Sequence, residues 1–210
     1  MNGWKKAAGI LVAMNGVGSG VAIFLQTGLG GDPIGILCDG ISQALSIQFG
    51  HASLLYNLVL IVLAAVVASK HTGAGSIAYA LMSGYFIDFY NQLLSVFELQ
   101  QKGLYVRLPV YAVGIVLFTA SLAILIHFKL GMNALDAVLW KISDRSGISY
   151  VVLRLITDLV YVAAGYLLGG TLGIGTVVCI LTAGTMIKRF TACYALLEMR
   201  LRIKKEVAKA

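Results

Sequence analysis

The segment from Ala7 to Leu25, AAGILVAMNGVGSGVAIFL, decides the fold class, because it holds no charged residue over 19 positions. A helix rises about 1.5 Å per residue, so this segment matches the roughly 30 Å hydrocarbon core of a bilayer. It follows Lys5 and Lys6 directly. Because it is longer than the apolar core of a secretory signal peptide, we interpret it as a retained membrane helix.

The composition of the whole chain agrees with a lipid environment. Of the 210 residues, 59% are hydrophobic and only 12% are charged, whereas soluble domains carry about a quarter charged residues. The net charge is +7, but the basic residues gather at the ends of apolar segments instead of forming a patch for nucleic acid. The predicted partner is therefore the lipid bilayer, and we expect no nucleic-acid partner.

Five further segments are long enough to span a membrane, and two shorter ones are not. The spanning candidates are Ala52–Ser69, Ile77–Leu94, Leu108–Phe128, Tyr150–Leu168 and Leu172–Leu197. The shorter segments, Pro33–Ile47 and Ala134–Ser143, are too polar to cross comfortably and favour re-entrant or interfacial helices. The prediction is an all-α polytopic transmembrane helical bundle of about six spans in a single membrane domain, residues 1–210. An eight-span arrangement stays open.

The two halves of the chain match in order and register. Leu29-Gly30-Gly31-Asp32 aligns with Leu130-Gly131-Met132-Asn133, and Gly73-Ala74-Gly75-Ser76 aligns with Gly173-Ile174-Gly175-Thr176. We predict tandem repeats over 7–97 and 107–198, followed by a basic cytoplasmic tail over 199–210. With three spans in each repeat, the second copy is inverted, as in many transporters.

The basic residues predict the orientation. If both termini are cytoplasmic, the outer side holds only Lys102 and Arg107. The inner side then holds Lys5, Lys6, Lys70, Lys129, Lys141, Arg145 and the basic residues from Lys188 to Lys209. This asymmetry is the one that the positive-inside rule requires. Pro109 is expected at the start of its helix, where its missing N–H costs nothing.

Glycines precede the predicted helix N-termini, and polar N-cap residues accompany them. Gly28 and Gly30 permit a sharp turn, after which Asp32 takes the N-cap of a helix that begins at Pro33. Asn133 takes the corresponding position in the second half. If these helix ends face a cavity, their free N–H groups attract anionic groups. The other entries are predicted at Gly73, Gly75, Gly173 and Gly175, where Ser76 and Thr176 are expected to cap the helices.

Charged residues inside apolar segments are the second group of candidates. Because an ionised group is costly in hydrocarbon, Asp88, Arg154 and Asp158 are expected to face partners or a water-filled path. Arg154 and Asp158 are four residues apart and are predicted to pair. Lys188 is the repeat counterpart of Asp88 and either pairs with it or marks a membrane edge. Asn57, the counterpart of Asp158, is expected to form an interhelical hydrogen bond.

The sequence predicts neither a metal nor a cofactor, and it does not indicate an enzyme. Its three cysteines and three histidines have no ligand spacing. No nucleophile elbow, zinc-binding helix motif or paired-carboxylate signature is present. The candidates for solute binding or coupling are therefore Asp32, Asn57, Asp88, Asn133, Arg154, Asp158 and Lys188.

The glycine motifs together resemble a family. Gly28-Leu29-Gly30-Gly31-Asp32-Pro33, Gly73-x-Gly75-Ser76 and Gly169-Gly170-x-x-Gly173-x-Gly175-Thr176 resemble the YczE/YyaS/YitT group of bacterial membrane proteins, over Gly16 to Phe190. The resemblance implies a location in the bacterial inner membrane and no established catalytic residues. Asn133-Ala134 replaces the Asp-Pro pair in the second half.

Two functions from different classes fit these observations. The leading hypothesis is a secondary transporter, or permease, for a small organic solute. The alternative is a non-transporting scaffold or a solute-capture subunit of a larger complex. A homo-oligomer or a second membrane protein as partner is left open.

Overall fold

The computed structural model describes residues 3–67, 74–127 and 134–207, so two predicted site residues, Gly73 and Asn133, lie outside it. Every regular element in the described part is helical, as predicted. The helices are α1 (Gly3–Thr27), α2 (Pro33–Leu45), α3 (Phe49–Val67), α4 (Ala74–Ser95), α5 (Leu104–His127), α6 (Ala134–Ser146), α7 (Tyr150–Leu167) and α8 (Ile174–Val207). A short 3-10 turn, Leu99–Gln101, precedes α5.

Five of the described helices are long and apolar enough to cross a membrane: α1, α3, α5, α7 and α8. The polytopic helical membrane fold is therefore confirmed. The sixth predicted span lies in α4, which has 22 residues and is long enough at about 1.5 Å per residue. Asp88, Asn91 and Gln92 make α4 less apolar, so its crossing stays a prediction.

The two short helices have the same length and the same ending. α2 and α6 have 13 residues each, so they are about 20 Å long and too short for the roughly 30 Å core. Ser42 Oγ donates a hydrogen bond to the Ile47 carbonyl at 2.6 Å, and Ser143 Oγ donates to the Ile148 carbonyl at 2.7 Å. In both halves of the protein, the chain therefore turns from the short helix into the next long helix in the same way.

The helices α1 and α5 pack closely and run in opposite directions. Gly16 of α1 faces Ser121, whereas Arg107 Nε near the start of α5 donates to the Thr27 carbonyl at 2.7 Å. A Cβ at Gly20 would lie 2.9 Å from the Gly114 carbonyl oxygen. The small residues therefore permit the backbones to approach, as the Gly16-x-x-x-Gly20 pattern predicts.

The helix α4 runs beside α1 in the same direction. Phe86 of α4 packs on Gly18, and Asn91 further along α4 bonds to Gln26 near the end of α1. The helix α3 begins beside the second half of α4, with Gly50 against Gly84.

The helix α8 accompanies α5 in the same direction. Tyr111 in the first half of α5 packs on Gly175 near the start of α8. His127 at the end of α5 lies 2.9 Å from Glu198, far along α8.

These contacts define two ends of the bundle. The α2 end holds the end of α1, α2, the Leu99–Gln101 turn and the connection between α7 and α8. The α6 end holds the end of α5, α6 and the start of α7. Pro109 was expected at the start of a helix, and this prediction is wrong. It lies inside α5, because that helix begins at Leu104 after Gly103.

Candidate functional site

A polar cavity of about 320 Å³ lies at the α2 end, between the first four helices and the Leu99–Gln101 turn. Ten of its twelve lining residues are polar. They comprise two carboxylates, six carboxamides and two hydroxyl groups: Asp39, Asp88, Gln26, Gln43, Gln48, Asn91, Gln92, Gln100, Ser42 and Thr171. So many polar side chains facing one space in an apolar protein indicate a solute site or a water-filled path.

Backbone amides hold both carboxylates of the polar cavity. Thr171 N donates to Asp39 Oδ2 at 2.7 Å, which ties α2 to the connection between α7 and α8. Gly50 N donates to Asp88 Oδ1, also at 2.7 Å, which ties α3 to α4. Asp39 is only 8% exposed. Because charge-assisted hydrogen bonds are strong, these two bonds hold the carboxylates in place.

Carboxamides join the helices around the same space. Gln26 Nε2 donates to Asn91 Oδ1 at 2.8 Å and to the Asn91 carbonyl at 3.2 Å, linking α1 to α4. Gln100 Nε2 donates to the Leu25 carbonyl at 3.1 Å. The polar cavity is thus assembled from segments that are far apart in the sequence.

A narrower cavity of about 20 Å³ lies beside the polar cavity. The two spaces share Asp39 and Thr171, and the narrow one reaches Gly30, Gly31 and Asp32. A space of this size holds about one water molecule. Most of the residues that line the narrow cavity are apolar or glycine, and its polar side chains are those of Asp32, Asp39 and Thr171.

Asp32 takes the predicted N-cap position of α2, with an extended backbone and with Pro33 as the first helical residue. Its side chain does not have the geometry of a full capping hydrogen bond, but its carboxyl lies close to the Gly35 amide in the first turn of α2. Asp32 lies in the connection between α1 and α2, outside the spanning helices. Desolvation raises the pKa of its carboxyl to about 6, and the Gly35 amide and the charge of Arg154 partly offset this shift.

The two glycine motifs singled out in the sequence contact each other. Gly175 N donates to the Leu29 carbonyl at 2.8 Å, and a Cβ at Gly30, whose φ is +88°, would meet Thr176 and Gly173. The predicted capping by Thr176 is wrong: α8 begins two residues earlier, and Thr176 Oγ1 is buried without a partner. The motifs lie at the starts of α2 and α8, as predicted, and their contact also makes them one junction between the two halves.

A charged cluster lies toward the α6 end. Arg154 Nη1 donates to Asp136 Oδ1 at 2.8 Å, and Arg154 Nε donates to both oxygens of Asp158 at 3.1 Å. Tyr150 OH also donates to Asp136 Oδ1, at 2.8 Å. The predicted pairing of Arg154 with Asp158 is confirmed, and Asp136, which the sequence did not single out, is the second carboxylate.

The remaining candidates lie elsewhere. An interhelical hydrogen bond was predicted for Asn57, but within the described part of the chain its Nδ2 donates to the Ser53 carbonyl one turn earlier in α3. Lys188 is exposed on α8, which packs on α5, so the described residues include no ion pair between Lys188 and Asp88. Gly28 ends α1 with a φ of +59° and Gly75 lies inside α4.

These features define a multi-pass helical membrane protein with a polar cavity at one end. The chain belongs to a family of unknown function (DUF6198), whose model matches residues 4–192. The resemblance to the YczE/YyaS group is thereby confirmed.

Three relatives extend over most of the chain. An uncharacterized protein of Haemophilus influenzae is 24% identical over 187 residues, which cover 89% of this chain and 84% of the relative. The uncharacterized protein YyaS of Bacillus subtilis is 22% identical, covering 81% and 85%. The uncharacterized membrane protein YczE of the same organism is 20% identical, covering 70% and 66%. No solved structure matches the chain significantly.

Proposed function

We propose that the protein is a permease that moves a small organic solute across the bacterial inner membrane. One observation supports the proposal: the polar cavity at the α2 end of an apolar protein, with the narrow cavity that reaches Asp32 beside it. A membrane protein that serves only as a scaffold has no need of such a lining. The proposal includes no catalytic step, cofactor or metal.

The unequal ends of the bundle support this proposal. The α2 end carries the polar cavity, whereas toward the α6 end Arg154 holds α7 against α6 through Asp136. A transporter exposes its site to one side of the membrane at a time. This arrangement fits the state that is open at the α2 end.

The inverted repeat is part of the proposal. Corresponding helices begin about one hundred residues apart, from Gly3 to Leu104 for the first pair and from Ala74 to Ile174 for the last. Each half has three long helices and one short helix, and α1 and α5 run in opposite directions. An odd number of spans in each half inverts the second half relative to the first.

The charge distribution supports an α2 end that faces outward. Lys102 and Arg107 belong to this end, whereas Lys141, Arg145 and the end of α8 belong to the other. Because basic residues favour the cytoplasmic side, we place the α6 end and both termini there.

Access from both sides tests the proposal without knowledge of the solute. Gly31 lines the narrow cavity, and a Cβ there would be 3.7 Å from Phe24, an ordinary contact. In a background in which Cys38, Cys179 and Cys193 are alanine, Gly31→Cys is treated with an impermeant trimethylammonium methanethiosulfonate. We expect modification in right-side-out vesicles and, separately, in inverted vesicles.

Two control positions calibrate the measurement. Gln48→Cys, at the rim of the polar cavity, is expected to react only from outside, and Asp144→Cys, at the α6 end, only from inside. Reaction of Gly31→Cys from one side alone, or from neither, contradicts the permease. Reaction from outside alone favours the solute-capture subunit.

A further inference from the structure

The charges that line the polar cavity are all negative. Asp39 and Asp88 are its ionisable residues, and none of the described residues that line it is Lys, Arg or His. Arg107 follows the nearby turn, but its Nε donates to the Thr27 carbonyl and it does not line the cavity. Because low-dielectric walls focus the field, this lining attracts cations and repels anions.

Three of the six lining carboxamides use their NH₂ groups as donors, two of them to side-chain acceptors of the same lining. The NH₂ group of Gln26 donates twice to Asn91, and that of Gln100 donates to the Leu25 carbonyl. Gln43 Nε2 lies 3.5 Å from Asp39 Oδ1. Each of these amides keeps its carbonyl oxygen as an acceptor. Asn91, Gln48 and Gln92 also line the cavity and keep their NH₂ donors, so an excess of acceptors in the lining comes from the two carboxylates.

The two carboxylates, when ionised, bring acceptors and no donors. The amides of Thr171 and Gly50 each bond to one oxygen, Oδ2 of Asp39 and Oδ1 of Asp88. A carboxylate has about four lone-pair positions, so both keep the capacity to accept further hydrogen bonds. A ligand with a positive charge and N–H donors would satisfy the charge and the acceptors at once, through strong charge-assisted bonds.

The volume limits the ligand to a small molecule. At about 320 Å³, the polar cavity is at the lower end of the range of about 300–1,000 Å³ for ligand sites. We infer that the polar cavity binds a small organic cation with N–H donors, such as an amine or a guanidinium compound. As a statement about the transported solute, this inference rests on the proposed function; as a statement about binding, it stands by itself.

Three probes separate the effects of charge and donors. Guanidinium and urea have nearly the same planar shape and N–H donors, but only guanidinium is charged. Tetramethylammonium is charged but has no N–H donor. Equilibrium dialysis measures the binding of radiolabelled guanidinium to the purified full chain in detergent. Competition by urea and by tetramethylammonium in the same assay gives their affinities. We expect guanidinium to bind at least tenfold more tightly than either competitor.

Substitutions assign the binding to the cavity. Asp39→Asn and Asp88→Asn are each expected to weaken guanidinium binding about tenfold. The matched control, Asp144→Asn, removes the same charge at the α6 end and leaves binding unchanged. If a carboxylate variant fails to fold, Gln92→Lys at the exposed rim adds a positive charge without breaking either backbone hydrogen bond, and it is expected to weaken binding similarly.

The outcomes distinguish the inference from the proposed function. Equal binding of guanidinium and urea, or equal binding by the Asp88→Asn and Asp144→Asn proteins, overturns the cation site. If guanidinium binds but Gly31→Cys does not react from both sides, the cation site is supported and the permease is contradicted. If Gly31→Cys reacts from both sides but the protein does not prefer guanidinium over urea and tetramethylammonium, the permease is supported and the cation site is overturned.

Discussion

The amide of Gly50 donates a 2.7 Å hydrogen bond to Oδ1 of Asp88, and this bond joins the first turn of α3 to the second half of α4. It also fixes one carboxylate at the wall of the polar cavity. A single contact thus serves the packing of two helices and the geometry of the candidate site.

The first prediction follows from this bond. Asp88→Ala leaves the Gly50 amide without its partner, and we expect a loss of about 1–3 kcal/mol of stability. Asp88→Asn retains an acceptor and is expected to lose less. Thermal unfolding in detergent measures both variants. Equal stability of the alanine and asparagine variants would show that the bond contributes nothing.

The second prediction concerns the α1–α5 contact. Gly20→Ala places a methyl group 2.9 Å from the Gly114 carbonyl oxygen, so the helices must separate, at a cost of about 1–3 kcal/mol. Gly184→Ala is the matched control, since a Cβ there meets nothing within 4 Å and alanine favours a helix by about 1 kcal/mol. Thermal unfolding should move in opposite directions for the two variants. A shift in the same direction contradicts the close contact.

The third prediction concerns the charged cluster. Arg154→Gln leaves Asp136 and Asp158 without the cation between them, and we expect a loss of about 2 kcal/mol, reduced because the cluster is partly exposed. Adding Asp158→Asn should recover part of it, because one uncompensated carboxylate is removed. A double-mutant cycle in thermal unfolding measures the coupling. Additive losses would mean that the two residues do not interact.

The fourth prediction is a dependence on pH. Because the pKa of Asp32 rises from 3.8 to about 6 on folding, the folded protein binds this proton more tightly than the unfolded chain. The contribution of Asp32 to the free energy of unfolding is therefore largest below about pH 4 and is lost as the pH rises to about 6. Above about pH 6 this contribution no longer changes with pH.

Asp32→Asn removes this dependence. The unfolding temperature of the variant, relative to the wild type, is expected to rise more at pH 7.5 than at pH 4.5. Asp144→Asn supplies the control for the loss of one charge. An equal change at both pH values for Asp32→Asn contradicts the assignment.

The helices were predictable because length and apolarity are local properties. The predicted starts of the two short segments, Pro33 and Ala134, are the observed helix starts. The Arg154–Asp158 pair was predictable for the same reason, since a spacing of four places two side chains on one helical face.

The polar cavity was not predictable in this way. Its lining extends from Leu25 to Thr171, and no residue spacing indicates which loop returns to which helix. Asp88 was singled out as a charge in an apolar segment, but Asp39 was not, because its short segment was already polar. The Asp88–Lys188 pairing failed because equivalent positions in two repeats need not be neighbours.

The bond from Gly175 N to the Leu29 carbonyl has a consequence for assembly. It joins segments 146 positions apart, and a chain is synthesised from its N-terminus. When α1 and α2 first enter the bilayer, the segment that completes their junction does not yet exist. The turn of the first half therefore stays incomplete until the segment around Gly175 has been made.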